Sequence, residues 1–196
     1  MANQDKFLFY WKNFLSLEKD LFSILEYIQI DKKNFKTFSI KNSRLILSVG
    51  GEIDGIFKKL CNQIDSTKKY ENIDNYRKTI LKYLGKEFGM KKAYIVNCDI
   101  DFQPWKDWNK KTIKNPDWWI DYNKVKHNRE DNFEKANLKN ILHCMAGLYI
   151  VLYFYNKEVG SLKQGMFYEE VWGSGKEKGS DIKDLNEDTV LFKLTY

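Results

Sequence analysis

SRLILSVGGEIDGIFKKL, residues 43 to 60, has the most regular apolar pattern in the chain. Its apolar residues recur every three to four positions as one stripe, which predicts an amphipathic helix over residues 42–62. The stripe comprises Leu45, Ile46, Val49, Ile53, Ile56, Phe57 and Leu60. Gly50 and Gly51 lie in its middle, where each costs about 1 kcal/mol relative to Ala. The pair therefore indicates the close approach of either another helix or a ligand.

Helical spacing recurs in other segments on both sides of this one. They are residues 13–30, residues 73–88 with Gly89 as the stop, residues 132–156, and a short helix that Asn115 caps, Pro116 begins and His127 ends. The segment 132–156 is apolar nearly all round beyond Met145, as expected of the central helix of a bundle. Together, these segments predict a mainly α fold of four to five helices, with 42–62 and 132–156 at its centre.

The remaining segments lack a helical period. Residues 31–41 read as a connector with an extended stretch. Residues 89–115 read as a loop-rich insertion that holds a short strand at 93–97 and the aromatic loop FQPWKDW. We expect a helical bundle over residues 1–159. The Gly-rich, charged residues 160–196 are expected to form either an ill-packed tail or a small appended strand.

The composition excludes a disordered chain and favours an anionic partner. Of the 196 residues, 43% are hydrophobic and 16% aromatic, and the net charge is +6. Residues 1–150 carry 27 Lys and Arg against 19 Asp and Glu. Such a basic body attracts polyanions such as nucleic acid. A coding bias would also produce this excess, since 30 of the 33 cations are Lys.

The sequence predicts a cytoplasmic protein without a membrane segment. Its N-terminus lacks a basic region followed by an uninterrupted apolar stretch, so we expect no signal peptide. The longest apolar run, residues 145–155, is shorter than the ~20 residues that a membrane span requires. Cys61, Cys98 and Cys144 lie far apart without a CxxC pair, which fits a reducing compartment.

The common motifs for cofactor and metal chemistry are missing. There is no GxxxxGK[ST], GxGxxG, GxSxG, HExxH or paired CxxC. The chain has only two histidines, His127 and His143, which do not share a ligand spacing. We therefore expect no cofactor and no metal, and we expect His143 to be a hydrogen-bonded core residue.

The candidate site is WWIDYNKVKHNRED, residues 118–131, where cations and a histidine follow an aromatic cluster. A neutral His127 can act as a general acid or base near pH 7. Lys126 and Arg129 can stabilise the anionic transition state of a phosphodiester. Candidate substrate-binding residues are Tyr122, Asn123, Lys124 and Asn128.

The same residues can also have purely structural roles. His127, Asn128 and Arg129 can merely join one helix to the next, with Arg129 paired to a neighbouring carboxylate. The tryptophans Trp105, Trp108, Trp118 and Trp119 can serve as core and loop anchors or can stack on bases. A buried, fully hydrogen-bonded His127 with no basic groove beside it would contradict the enzyme hypothesis.

The chain resembles a group of uncharacterised bacterial HEPN-like proteins in two segments. These are the helix at residues 43–60 and the residue spacing of WWIDYNKVKHNRxxNFxxANLxNIL, residues 118–142. HEPN proteins are helical bundles, frequently dimeric, of toxin–antitoxin and phage-defence systems, and many are metal-independent ribonucleases. His127 matches the His of their Arg–polar–His signature, whereas Tyr122 and Asn123 occupy the stretch where its Arg is expected.

The resemblance implies an RNA-binding protein of a host-defence or toxin system that acts as an endoribonuclease through His127, with Lys126 and Arg129. It also implies a homodimer whose interface includes residues 116–131, and an antitoxin or other defence-system partner. The aromatic density of residues 105–122 favours the same interface. The alternative is a non-catalytic helical module that binds RNA, a nucleotide or a protein partner.

Overall fold

The computed structural model describes residues 3–95, 98, 100–110, 114–161 and 191–194. These residues are mainly helical and include a small sheet. Their helices are α1 (Asn3–Leu25), α2 (Ile40–Ile64), α3 (Ile73–Leu84), α4 (Glu87–Met90), α5 (Asp117–His127) and α6 (Leu138–Ser161). Their strands are β1 (Ala93–Ile95), β2 (Asp101–Phe102) and β3 (Phe192–Leu194).

The centre of the fold is the pair α2 and α6, as the apolar patterns predict. All seven residues of the α2 stripe are buried. Ser39 begins the helix, because its hydroxyl oxygen accepts from the Asn42 amide at 3.1 Å. The segment Leu138–Glu158 of α6 is long and apolar enough to cross a membrane, but 89% of its most apolar window is buried inside the protein.

Helix α1 begins ten residues earlier than its predicted start at residue 13. Lys12 and Asn13 break the apolar run, but Lys12 simply lies on the exposed outer face. On the inner face Trp11 and Phe14 are buried and stack on Tyr149 of α6, with ring centroids 6.0 and 5.4 Å away. The aromatic residues therefore extend the helical stripe toward the N-terminus.

Helix α3 ends at Gly85, and the prediction of Gly89 as its stop is wrong. Gly85 has φ of 65°, a conformation that residues with a Cβ rarely adopt, so the helix terminates there. Gly89 instead lies inside the short helix α4, which buries Phe88. At the other end, the Asn72 side chain caps α3 through the amides of Asp74 and Asn75.

Helix α6 begins at Leu138, six residues later than predicted, and a 3-10 turn, Phe133–Lys135, precedes it. Its first amides are satisfied by the connector between α1 and α2. The Leu138 amide donates to the Thr37 carbonyl at 2.9 Å, and the Lys139 amide donates to the Phe35 carbonyl at 3.1 Å. The predicted connector is therefore present and caps the central helix, but it begins with a 3-10 turn, Lys32–Asn34, and its extended part is a single β-bridge from Phe38 to Asn137.

The sheet has the order β2-β1-β3, and both of its pairs are antiparallel. β1 forms part of the predicted strand, whose residues 96 and 97 lie outside the described residues. β3 comes from the C-terminal segment, of which residues 191–194 are described and most of the predicted tail is not. The sheet contacts α6, so β3 packs on the same core as the helices.

Candidate functional site

Helix α5 presents two faces, and the buried one fixes its position. Tyr122 lies against Gly50 of α2, and Trp118 lies against Gly147 of α6. A Cβ on residue 50 would lie 2.6 Å from Cζ of Tyr122, which is too close for any side chain. The glycine predicted to mark a close approach therefore receives a ring from another helix, whereas Gly51 is exposed.

The other face of α5 forms one wall of an open groove of about 480 Å³, which we call the His127 groove. It is lined by Ile73, Asn115, Trp119, Ile120, Asn123, Lys124, His127, Asn128 and Asn132. Positions 119, 120, 123, 124 and 127 follow helical spacing, which explains why they share a face. Four predicted site residues thus line one groove: Asn123, Lys124, His127 and Asn128.

His127 is exposed at the C-terminal end of α5, so its imidazole is accessible to a ligand in the groove. Lys124 is also exposed, and its Nζ lies 3.8 Å from Oδ1 of Asp121. The other carboxylate oxygen of Asp121 accepts from the buried Asn140 amide at 2.9 Å. The ion pair is weak, because the two atoms are far apart and the Lys124 side chain is exposed to solvent. The Lys124 ammonium can therefore contact an anion.

The asparagines of the groove retain both hydrogen-bond donors and acceptors that can contact a ligand. Asn123 and Asn132 each donate through Nδ2 to a backbone carbonyl at 2.8 Å, which leaves their amide oxygens as acceptors. The Oδ1 of Asn115 accepts from Arg77 at 3.0 Å, which leaves its Nδ2 as a donor. Asn128 is occupied by Asp131. The groove can therefore both donate to and accept from a polar ligand.

Three predicted site residues lie outside the groove. Lys126 lies over the buried Tyr122 ring, with its Nζ 5.7 Å from the ring centroid, as expected four residues along one helix. Burial raises the pKa of Tyr122 to about 12, so its phenol is neutral at physiological pH. Arg129 is exposed beyond the end of α5 and forms no ion pair with any residue that the structure describes. The predicted catalytic group of His127, Lys126 and Arg129 is therefore not gathered in one place.

Sequence reasoning missed the contribution of α3, which provides Ile73 to the groove and holds Asn115 through Arg77. Arg77 of α3, whose side chain is 11% exposed, bridges Asp74 at 2.8 Å and Asn115 at 3.0 Å, and so orients the Asn115 amide. Asn115 was predicted to cap α5, but Pro116 occupies the N-cap position and no side chain caps it. No sequence pattern relates Ile73 and Arg77 to residues 115–132, because these residues are distant in the sequence and only the tertiary fold brings them together.

His143 has the structural role predicted for it. Its Nδ1 is 2.9 Å from the Lys139 carbonyl, and its ring packs edge-on against Phe102 with centroids 4.9 Å apart. Burial lowers the pKa of His143, the hydrogen bond to the Lys139 carbonyl opposes this, and the nearby charges of Lys139 and Lys106 lower it further. The half-buried ring therefore packs at the edge of the core.

The four predicted tryptophans are core residues, between 0 and 5% exposed, so none offers a face on which a base could stack. Trp118 donates through Nε1 to the Pro104 carbonyl at 2.9 Å, and Trp105 donates to the Gly147 carbonyl at 3.2 Å. The aromatic density that favoured an interface at residues 116–131 is thus accommodated within one chain. A homodimer through this surface stays a prediction.

No group of three or more His, Cys, Asp or Glu side chains within the described ranges could hold a metal ion. Cys61 and Cys144 are buried, as their apolar neighbours predict, and burial raises the pKa of both thiols.

Compared with protein-family models, with curated proteins and with solved structures, the chain gives no significant match. The features that point to a function are therefore the His127 groove and the sequence pattern around it.

Proposed function

We propose that this protein binds a single-stranded RNA segment in the His127 groove and cleaves it there without a metal ion. The observation that carries the proposal is the exposed imidazole of His127 in one groove with the Lys124 ammonium and unpaired amide groups. Lysine contacts phosphate, and a mixture of amide donors and acceptors suits the polar edge of an unpaired base. Ile73 and Ile120 provide an apolar surface beneath the ligand.

The cleavage chemistry needs only a proton acceptor beside the phosphodiester. His127 accepts the proton of a ribose 2′-hydroxyl, whose oxygen then attacks the adjacent phosphorus. The bond from phosphorus to the 5′-oxygen breaks, that oxygen takes a proton from water, and the hydroxide formed takes the proton back from His127. Lys124 stabilises the negative charge that develops on the non-bridging oxygens. The products are a 2′,3′-cyclic phosphate and a 5′-hydroxyl, and no net proton is gained or lost.

The wider biological setting of the proposal comes from the HEPN-like sequence pattern. A mainly helical chain centred on α2 and α6 is compatible with an HEPN-like bundle. We accordingly assign the protein to a cytoplasmic host-defence or toxin system, as a homodimer with an antitoxin or defence-system partner. Expression of the wild-type chain should then arrest bacterial growth, and His127→Ala should relieve the arrest at equal protein levels.

The decisive experiment measures RNA cleavage after purified protein is incubated with single-stranded RNA in the presence of EDTA. We expect cleavage with 2′,3′-cyclic phosphate ends, and a loss of about 10²-fold or more in His127→Ala, since general acid–base catalysis contributes 10² to 10⁴. Lys126→Ala is the matched control because Lys126 lies outside the groove on the same helix. Equal cleavage by wild type and His127→Ala would overturn the catalytic role of this histidine.

A non-catalytic RNA-binding module is the second candidate, and one observation favours it. Lys124 is the only lysine or arginine among the described residues that line the groove, since Lys126 and Arg129 lie elsewhere. A lone cation supplies less transition-state stabilisation than the predicted group of three residues. Binding that depends on Lys124, with no cleavage by the wild-type protein, would establish the module and contradict the enzyme.

A further inference from the structure

A second pocket, which we call the lysine pocket, lies where the C-terminal end of α2 meets α3. Its volume is about 410 Å³, and it is more enclosed than the His127 groove. This volume is within the range of about 300 to 1,000 Å³ that small-molecule sites occupy. The two sites share no lining residue, so the lysine pocket requires an explanation of its own.

Cations dominate the lining of this pocket. It contains Lys68, Lys69, Lys78 and Lys82 but one acidic residue, Asp65. Asp65 is already engaged, because its Oδ2 accepts from Lys68 at 2.6 Å and its Oδ1 accepts from the Thr67 hydroxyl at 2.6 Å. The other three lysines form no ion pair with any residue in the described ranges. The pocket is therefore strongly positive.

Two of these lysines, Lys78 and Lys82, lie four residues apart on α3 and line the same side of the pocket. Like charges at this spacing destabilise a helix by about 0.2 to 0.5 kcal/mol. Lys68 and Lys69 add two further exposed cations to the same pocket, which adds to the repulsion. An anionic ligand with several charges would remove this repulsion, and a phosphate chain has the charge density required.

Aromatic side chains accompany the lysines. Tyr70 is held by hydrogen bonds, since its hydroxyl donates to the Asp65 carbonyl at 3.0 Å and accepts from the Thr79 hydroxyl at 3.3 Å. Tyr83 also lines the pocket and is 57% exposed, so its ring is available to a planar group. A ligand that combines a phosphate chain with a heterocyclic base matches both features.

We propose that the lysine pocket binds a nucleoside diphosphate or triphosphate, with the phosphate chain between Lys69, Lys78 and Lys82 and the base against Tyr83. The chain lacks a glycine-rich phosphate loop, so the phosphates are held by ammonium groups and not by a backbone cradle. Asp65 is occupied by Lys68 and Thr67, which leaves no lining carboxylate for Mg²⁺. Binding should therefore not require a divalent cation, and it should weaken as salt rises.

The first test measures ATP binding to the full chain by calorimetry at low salt with EDTA. Lys78→Ala/Lys82→Ala should weaken binding about tenfold or more, because two charge-assisted contacts are lost. The matched control is Lys58→Ala/Lys59→Ala, which removes two exposed lysines of α2 outside the pocket and should stay within about twofold of wild type. No measurable ATP binding, an equal loss in the control, or a requirement for Mg²⁺ would overturn the proposal.

The second test separates the base from the phosphates. We expect ATP to bind more tightly than inorganic triphosphate, Tyr83→Ala to abolish the difference, and Tyr83→Phe to keep it. Equal binding of the two ligands, unchanged by Tyr83→Ala, would contradict a nucleoside ligand. Binding of single-stranded RNA, but not of ATP, that is lost in Lys78→Ala/Lys82→Ala would show a second RNA site and overturn the proposal.

The inference does not depend on the proposed ribonuclease. His127→Ala and Lys124→Ala change only residues of the His127 groove and should leave ATP binding unchanged. Conversely, Lys78→Ala/Lys82→Ala should leave RNA binding in that groove unchanged. Each proposal can therefore fail while the other holds.

Discussion

The ring of Tyr122 lies on the Cα of Gly50, so that the helix carrying His127 touches the central helix α2 at a position that has no room for a Cβ. Tyr122 is buried, and Lys124 and His127 lie one turn apart on the exposed face of the same helix. The contact therefore sets how far the groove wall stands from the core. A small change at Gly50 should be transmitted to the groove.

Gly50→Ala should destabilise the protein although Ala is the better helix former. The added Cβ would meet Cζ of Tyr122 at 2.6 Å, and overpacking of this kind costs about 1 to 3 kcal/mol. Urea denaturation measures the loss in the free energy of unfolding. In a Tyr122→Ala background the same substitution should cost much less, because the clash is gone.

The neighbouring Gly51 is the control for the Gly50 prediction. It is exposed and has no atom within 4 Å of an added Cβ. Gly51→Ala should therefore stabilise the protein by up to about 1 kcal/mol, the difference in helix propensity. Opposite signs for the two substitutions are expected, and a stabilising Gly50→Ala would show that Tyr122 packs elsewhere.

Glu18 should anchor the C-terminal strand to α1. Glu18 is buried, with 3% of its surface exposed. Its Oε1 accepts from the Leu191 amide at 3.1 Å and from the Phe192 amide at 3.4 Å. Glu18→Ala would remove the acceptor that these two amides share, and the loss of a buried acceptor of this kind costs about 1 to 3 kcal/mol. We expect faster hydrogen exchange at these two amides and a lower melting temperature.

Asp20→Ala is the control for Glu18→Ala, since Asp20 is an exposed acidic residue of the same helix. It removes the same formal charge and should leave exchange at residues 191 and 192 unchanged. If Glu18→Ala also left exchange there unchanged, the carboxylate would not hold β3.

Stability should fall as the pH drops below about 6.5, in part because of His143. Burial lowers the pKa of His143 in the folded protein, so the unfolded chain, with an ordinary histidine pKa of about 6.5, takes up the proton first. The contribution is complete above the unfolded pKa and is lost as pH falls toward the folded value. Urea midpoints at several pH values measure the fall, which should be smaller in His143→Gln.

Lys124 and Arg129 should differ in their effect on RNA affinity. Lys124 lines the His127 groove and Arg129 does not, so Lys124→Ala should weaken RNA binding several-fold and Arg129→Ala should change it little. The slope of log affinity against log salt should decrease by about one unit in Lys124→Ala only. A larger effect of Arg129→Ala in both measurements would move the RNA path away from the groove and toward the end of α5.

Local patterns were sufficient to predict the central helices and one wall of the site. The stripe of α2 and the apolar α6 were predicted because burial follows the three-to-four residue period of a helix, which involves neighbours in the sequence only. Asn123, Lys124 and His127 could be grouped for the same reason, since they share one face of α5. The burial of Trp118 and Tyr122 on the other face follows from the same spacing.

The rest was decided by tertiary packing. The rotation of α5 about its axis places Tyr122 against Gly50 and Lys124 in the groove, and it depends on the fit of that ring to α2. Ile73 reaches the groove from α3, which is distant from α5 in the chain, and Glu18 meets Leu191 across 173 positions. A one-dimensional pattern contains the period of a helix but not its neighbours, because these are set by how all the helices fill one core.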